Sequence, residues 1–253
     1  MFDAVKTKDA IVEYIRDYYK KCNLKGAVLG VSGGKDSGVV AGLFATALGP
    51  ENVVGLTLPC HSKETDALDA KLVADKFGFE LINIDLTSAY DALTENIAST
   101  GEYSEEELKN SNINLKPRLR MATVYYMAAL LSATRGGTYI VPGTSNACEL
   151  YVGYFTKGGD NTFDIGSITD LTVEEVIKVG EVLEVPEKVL YKTPDDGLSG
   201  LSDEDKLGVR YSDIARVIRG NTEGMDEEVL AKIEKLHKGC QHKFNIPVFK
   251  LED

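Results

Sequence analysis

Basic residues are in deficit: 28 Lys and Arg stand against 40 Asp and Glu, a formal charge of −12. A nucleic-acid binder ordinarily carries a basic face, so nucleic acid is not the expected partner, although the balance leaves room for a local basic pocket. Cysteine is sparse and scattered. Cys22, Cys60, Cys148 and Cys240 form no C-x-x-C pair, which argues against a zinc or redox centre and for reduced thiols. No stretch approaches the roughly 18 apolar residues of a membrane span, and the start M-F-D-A-V-K-T-K-D-A lacks the apolar centre of a signal peptide. No membrane association and a cytoplasmic location are therefore expected. Internal repeats and low-complexity linkers are also missing. What is present, 253 residues of which 43% are hydrophobic and 27% charged, suits a single domain over 1–253 with a well-filled core.

The most informative stretch is Val28 to Ser37, V-L-G-V-S-G-G-K-D-S. Its apolar half suits a buried parallel strand, and G-V-V-A-G-L-F-A-T-A-L from Gly38 suits a helix packed against that strand. The polar part then lies at a strand's carboxyl end and a helix's amino end, where backbone N–H groups are unpaired and the dipole favours an anion. Gly33 and Gly34 let the backbone approach oxygens, Ser32 and Ser37 add hydroxyls, and Lys35 adds a cation. Two common phosphate loops are absent. Only Val31, Ser32 and Gly33 separate Gly30 from Gly34-Lys35, so the spacing is not Walker A, and Ser32 breaks a G-x-G-x-x-G fingerprint. The residual pattern, S-G-G-x-D-S after an apolar strand, resembles the pyrophosphate loop of the ATP pyrophosphatase (PP-loop) superfamily. A carboxylate beside a phosphate cradle is repulsive unless a cation intervenes. Asp36 is thus expected to ligate Mg²⁺, which takes one or two protein carboxylates alongside phosphate oxygens and water.

Along the chain, Ile11, Ile15 and Tyr18 predict a helix over 3–21. Asn52–Leu58 and Glu80–Ile84 read as further strands, with a helix between them over Ser62–Phe77 carrying Leu68, Leu72 and Phe77 on one side. Alternation at this spacing means right-handed crossovers and a parallel sheet. Residues 85–115 suggest a helical excursion, Pro117 begins a long apolar helix, and Thr138–Val141 is a fourth strand. Thr144 and Glu149 follow that strand and belong on the rim where open parallel sheets bind ligands. Next come a Gly-rich polar loop over 155–164, a helix over Leu171–Val185, an aperiodic segment over 191–205 of the kind that forms lids, and closing helices near 203–219 and 226–239.

The order of motifs is similar to that of the ammonia-dependent NAD synthetase family. It comprises G-V-S-G-G-K-D-S (30–37), L-P-C-H-S (58–62), K-P-R-L-R-M (116–121), G-T-S-N-A-C-E-L (143–150), G-Y-F-T-K-G-G-D (153–160), Y-K-T-P-D-D-G-L (191–198), D-E-D-K-L-G (203–208) and H-K at 242–243. The resemblance implies an α/β fold with a doubly wound parallel sheet flanked by helices on both faces, and a homodimer with the substrate site near the subunit interface. It also implies a ligase that adenylates the nicotinate carboxylate of deamido-NAD with ATP and then aminates it with ammonia, giving NAD, AMP and pyrophosphate. By matching position, Gly30, Val31, Ser32, Gly33, Gly34, Lys35, Asp36, Ser37 and Thr144 would hold ATP, and Asp36 with Glu149 would ligate Mg²⁺. Arg118, Lys157, Asp164, His242 and Lys243 would contact deamido-NAD, Tyr18 would join them across the dimer, and Asp36 and Lys157 would be the catalytic pair. Arg120 is read as structural.

Two positions depart from the family's pattern: Val173 stands where a Lys commonly reaches ATP, and Asp195 where Ser or Thr is frequent. Either Lys178, Lys188 or Lys192 takes over, or the triphosphate is held differently. The competing readings are another adenylating PP-loop enzyme, either a GMP-synthetase-type amidating domain or a tRNA thiolase, and a non-catalytic nucleotide sensor. The thiolase is disfavoured by the missing basic surface and paired cysteines, and the GMP synthetase by a length that leaves no room for its extra domains. A sensor has no use for Asp36, Glu149 and the Arg118/Lys157 set together.

Overall fold

The computed structural model describes residues 2–192 and 202–251. Most of the aperiodic 191–205 segment, Asp195 included, lies outside them. Helix α1 (Ala4–Cys22) starts where Asp3 accepts a hydrogen bond from the Lys6 N–H and stops at Asn23, which adopts φ 52°. Its buried stripe is Val12, Ile15 and Tyr19, with Ile11 and Tyr18 at the margin. Strand β1 (Leu24–Gly30) leads to α2 (Lys35–Leu48), β2 (Val53–Thr57), α3 (Glu64–Phe77) and β3 (Glu80–Asn83). The excursion is indeed helical, as α4 (Thr87–Ala98) and α5 (Glu105–Asn112), the latter closed by a Ser104/Glu107 capping box. The long helix α6 (Leu115–Arg135) places Pro117 in its first turn, where no N–H is needed, and delivers β4 (Thr138–Ile140).

All four strands are parallel in the order β3-β2-β1-β4. Connections leave β1 in opposite directions on its two sides, so the switch point lies between β1 and β4, the place where ligands bind in such sheets. Alternation along β1 sends Ala27, Leu29 and Val31 to one face and Val28 to the other. The first face is covered by α1, α2, α8 (Val173–Val182) and α9 (Glu187–Leu190), and the second by α6 through Val124, Ala128 and Leu131. A short parallel pair, β5 (Pro142–Gly143) and β6 (Ile165–Gly166), extends the β4 side. A third cluster joins α7 (Ala147–Val152), α11 (Tyr211–Ile218) and α12 (Glu227–Cys240).

Two details differ from the sequence reading. In α3 the buried face is Asp69, Ala70, Val73 and Ala74, whereas Leu68 and Leu72 are 59% and 40% exposed. The reason is space: the backbone at Gly33 abuts Asp66–Ala70, so only small residues fit along most of that face. The helix expected over 203–219 is two, α10 (Asp203–Leu207) and α11, broken at Gly208, whose φ of 63° no helix interior accepts.

Asp69 is the exception among those small residues. Its side chain is 3% exposed and lies 2.7 Å from Lys188 and 2.8 Å from Lys192, and Lys192 also reaches Asp66 at 2.9 Å. Burial pushes the Asp69 carboxyl up, but the two lysines outweigh it and hold the group below its ordinary value. The folded-state value is thus depressed, so the contribution is complete above the usual carboxylate range and disappears as pH falls through the lowered value. Asp69→Asn should cost about 2–4 kcal/mol at neutral pH, somewhat under a fully buried pair because Lys188 can turn to water. Urea titrations should also show a shallower loss of stability between pH 5 and pH 3 than in the parent.

Candidate active site

The loop after β1 folds as expected of a phosphate cradle. The Ser37 hydroxyl accepts from the Ser32 N–H at 3.2 Å, lies 3.1 Å from the Ser32 hydroxyl and donates to the Gly34 carbonyl at 3.1 Å, which closes the turn on itself. Gly34 is the N-cap of α2 and offers no side-chain cap, so the first N–H groups of a 14-residue helix are left for an anion. Gly30 ends β1 and Val31 is locked to β2 by its N–H on the Leu56 carbonyl at 2.8 Å. Lys35 is buried and turned to Asp36 at 3.2 Å. Burial lowers its pKa, but Asp36 and Glu149 together more than reverse that.

Asn146 joins this loop to the turn after β5. It caps α7 with its side-chain oxygen on the N–H groups of Cys148 and Glu149, and donates through Nδ2 to Asp36 Oδ1 at 3.2 Å. Glu149 folds back so that Oε2 accepts from the Asn146 N–H at 3.0 Å. Glu149 is half-buried, and burial first, then the Asp36 charge, push its pKa well above its ordinary value. Two carboxylates are thus aimed at one spot with a single lysine between them. Among the described residues no cluster of three or more His, Cys, Asp or Glu forms a metal cage. Two carboxylates are nevertheless the complement that Mg²⁺ takes when phosphate and water complete its shell, and Glu149 Oε1 makes no hydrogen bond among the described residues. The pair fits that ion. Thr144 stands half-buried two residues before Asn146, on the same rim.

The second side of the site is cationic. Arg118, in the first turns of α6, donates Nε and Nη2 to the Lys157 carbonyl at 3.3 and 3.2 Å. Lys157 donates to the His242 carbonyl at 2.8 Å, and Lys243 to the carbonyls of Gly153 and Phe155 at 2.7 and 2.6 Å. The residues expected to meet deamido-NAD therefore converge from α6, the 153–160 loop and the chain after α12. Each of these cations is held by a neutral carbonyl, so its charge is left for a ligand. Asp164 differs: its oxygens accept from the Tyr125 hydroxyl at 3.1 Å and the Val141 N–H at 2.8 Å, tying α6, β4 and β6 together. Lys188 and Lys192 are engaged by Asp66 and Asp69. Val173 packs into the third cluster.

Sequence reasoning missed Asn146, Asp160, Asp203 and Tyr211. Asn146 had a signal, since N-x-x-E before a short helix is a capping pattern. Asp160 accepts from the Thr156 N–H at 2.8 Å, and burial raises its pKa. Asp203 and the buried Tyr211 both act electrostatically on this centre, Asp203 on Lys35 and Glu149 on Tyr211. They arrive from elements distant in sequence, and no local pattern marks them.

Comparison with known proteins agrees with this geometry. The family model described as NAD synthase matches residues 7–247. The chain is 37% identical over 240 residues to the NH(3)-dependent NAD(+) synthetase of Carboxydothermus hydrogenoformans, covering 94% of each. It is similarly 37% identical to the Alkaliphilus oremlandii enzyme of the same name, covering 96% of this chain and 95% of that one. Among solved structures, an NMN synthetase from Francisella tularensis superposes with a TM-score of 0.86 at 31% identity over 99% of both chains. An NH3-dependent NAD synthetase from Campylobacter jejuni superposes with a TM-score of 0.78 at 25% identity over 99% of this chain and 100% of that one. Matched by the family model over nearly its whole length and by relatives at 37% identity, the chain belongs to the NAD synthase family.

Proposed function

We propose that the chain is an ammonia-dependent NAD synthetase acting as one domain, converting deamido-NAD, ATP and ammonia to NAD, AMP and pyrophosphate. The observation that carries this is the juxtaposition of two anion-receiving surfaces around Asp36 and Glu149: the unpaired N–H groups at the start of α2, and the Arg118, Lys157 and Lys243 set. A carboxylate does not accept ammonia unaided because its oxygen leaves poorly. Attack of the pyridine carboxylate on the α-phosphorus breaks the bond to pyrophosphate and creates an acyl adenylate. Ammonia then forms the C–N bond as AMP departs and a proton is lost. The Ser32–Ser37 loop receives the leaving pyrophosphate, and Lys157 and Arg118 orient the anionic substrate for in-line reaction. Mg²⁺, with Asp36 and Glu149 as its protein ligands, would neutralise phosphate charge as pyrophosphate leaves.

A homodimer belongs to the same proposal: Tyr126 and Leu130 on α6 are 69% and 42% exposed and Tyr14 on α1 is 50% exposed, large apolar side chains that a second copy would cover. Cytoplasmic residence is likewise proposed, on four free cysteines, which a reducing compartment preserves. No helix among the described residues is long and apolar enough to cross a membrane.

The likeness to an NMN synthetase favours one second reading, in which the acid is the mononucleotide and not the dinucleotide. ATP–pyrophosphate exchange with deamido-NAD, with nicotinate mononucleotide and with neither decides between them by the ratio of kcat/KM. Exchange driven instead by xanthosine monophosphate, or none from folded protein, overturns the assignment. Lys157→Met should raise KM for the preferred acid about 10- to 100-fold, the scale of one charged hydrogen bond, while KM for ATP stays within twofold.

A further inference from the structure

Arg120 lies on α6 two residues beyond Arg118 and faces the carboxyl end of β2. Its Nε donates to the Leu58 carbonyl at 3.1 Å and its Nη2 to the Ser62 hydroxyl at 3.3 Å. No carboxylate among the described residues comes within ion-pair distance, and Nη1 makes no hydrogen bond to them. Arg135, also half-buried, grips Glu80 at 2.6 Å, and the exposed Arg219 grips Glu175, whereas the half-buried Arg216 donates only to the Asn221 and Glu223 carbonyls just beyond its own helix. Arg16, whose partners are both carbonyls, stays out in solvent. Arg120 is half-buried, so its charge is removed from water without a counter-ion, an arrangement that costs free energy unless something anionic arrives. Burial accordingly lowers its pKa, against the opposing pull of Cys60, Asp66 and Asp160.

Its place in the fold says what the anion is. The Val31 N–H binds the Leu56 carbonyl immediately before the phosphate loop, and Leu58 lies two residues further, about 7 Å along the strand. The guanidinium is therefore on the ATP side of the site, between the loop that takes pyrophosphate and the 153–160 loop that carries Lys157. We propose that Arg120 is an ATP-binding catalytic residue whose free donors hold the α-phosphate while the substrate carboxylate attacks it. This rests on the adenylating reaction proposed above. In that step charge builds on the non-bridging α-oxygens as the new P–O bond forms and the bond to pyrophosphate breaks, and a planar fork fixed at its other edge by Leu58 and Ser62 is preorganised for them. The leaving pyrophosphate carries away the displaced electron pair, so no further co-reactant is needed.

Arg120→Met and Arg120→Lys test this by ATP–pyrophosphate exchange, melting temperature, and the relative rates on the two α-thio diastereomers of ATP. The Met variant should lose about 10²- to 10³-fold in exchange rate, the Lys variant should recover part of that loss, and both should melt within a few degrees of the parent. The diastereomer preference should shift at least tenfold in the Lys variant, a change that a purely structural arginine would not produce. Exchange within twofold of the parent, an unchanged diastereomer preference, or an effect confined to KM for the acid would overturn the assignment to the α-phosphate. Absence of exchange by the unmodified protein with either pyridine acid would instead overturn the proposed function.

Discussion

Asp36→Asn and Glu149→Gln should each lower turnover about 10³-fold or more and leave the fold standing, and Glu149→Gln should raise the melting temperature of the metal-free protein. The loss of turnover follows from removing one of the two carboxylates that meet at Asn146 beside the phosphate cradle, a scale typical of deleting a charge that stabilises the transition state. The gain in stability follows from crowding. Glu149 is half-buried beside Asp36, and both effects raise its pKa in the folded state. A carboxyl whose folded-state value is raised opposes folding only when ionised. The penalty is therefore absent below the ordinary value near about 4.3 and grows as pH rises toward the raised one. At pH 8 the parent bears that penalty and the Gln variant does not, and for a chain of this size each kcal/mol relieved appears as about 2–4 °C. Asp36→Asn should gain less, because Lys35 loses its partner at 3.2 Å and keeps only Glu149 nearby. Added Mg²⁺ should raise the melting temperature of the parent and of neither variant. Near-normal rates at saturating Mg²⁺, or equal thermal responses to the ion in all three proteins, would show that these carboxylates are not its ligands.

The same carboxylates show how far the sequence reaches. Asp36 was legible because its anomaly is local: an acid inside a phosphate turn asks for a cation, and the asking takes only ten consecutive residues. The parallel sheet was legible for a similar reason, since strand and helix periods alternate at crossover spacing. Asn146 and Arg120 were not. Asn146 matters because it touches Asp36 across 110 positions of sequence, and Arg120 because no carboxylate among the described residues pairs with it, which is a property of the assembled site. The face of α3 was misread on the same account. Leu68 and Leu72 look like core by hydrophobicity, yet the helix turns Asp69 and Ala70 inward because the phosphate loop comes too close for anything larger. Asp164 lies in that neighbourhood, with one oxygen on the Tyr125 hydroxyl and the other on the Val141 N–H.

That closeness sets the remaining large effect. Gly33→Ala should abolish ATP–pyrophosphate exchange, by about 100-fold or more, and destabilise the protein by about 2–4 kcal/mol. Gly33 has φ 77°, where an L side chain costs about 1–2 kcal/mol on its own account. A Cβ there would also lie 2.5 Å from the Asp66 carbonyl and 2.9 Å from the Asp69 Cβ, within contact limits that real structures do not show. The neighbour cannot step aside, because it is the backbone of α3 at the point where Asp69 is pinned by Lys188 and Lys192. The loop has to move instead, and a displacement near 1 Å in a positioning element is worth about 10²-fold in rate. Gly34→Ala is the control. Its φ of −100° is open to any residue and its Cβ would meet only the Ser32 hydroxyl at 3.3 Å, so stability should stay within about 1 kcal/mol of the parent. Combining Gly33→Ala with Asp69→Asn, which loosens the pin, should recover part of the lost exchange at a further loss of stability. If Gly33→Ala alone retains full exchange, α3 is the element that yields, and the phosphate cradle is not the rigid receptor that its hydrogen bonds describe.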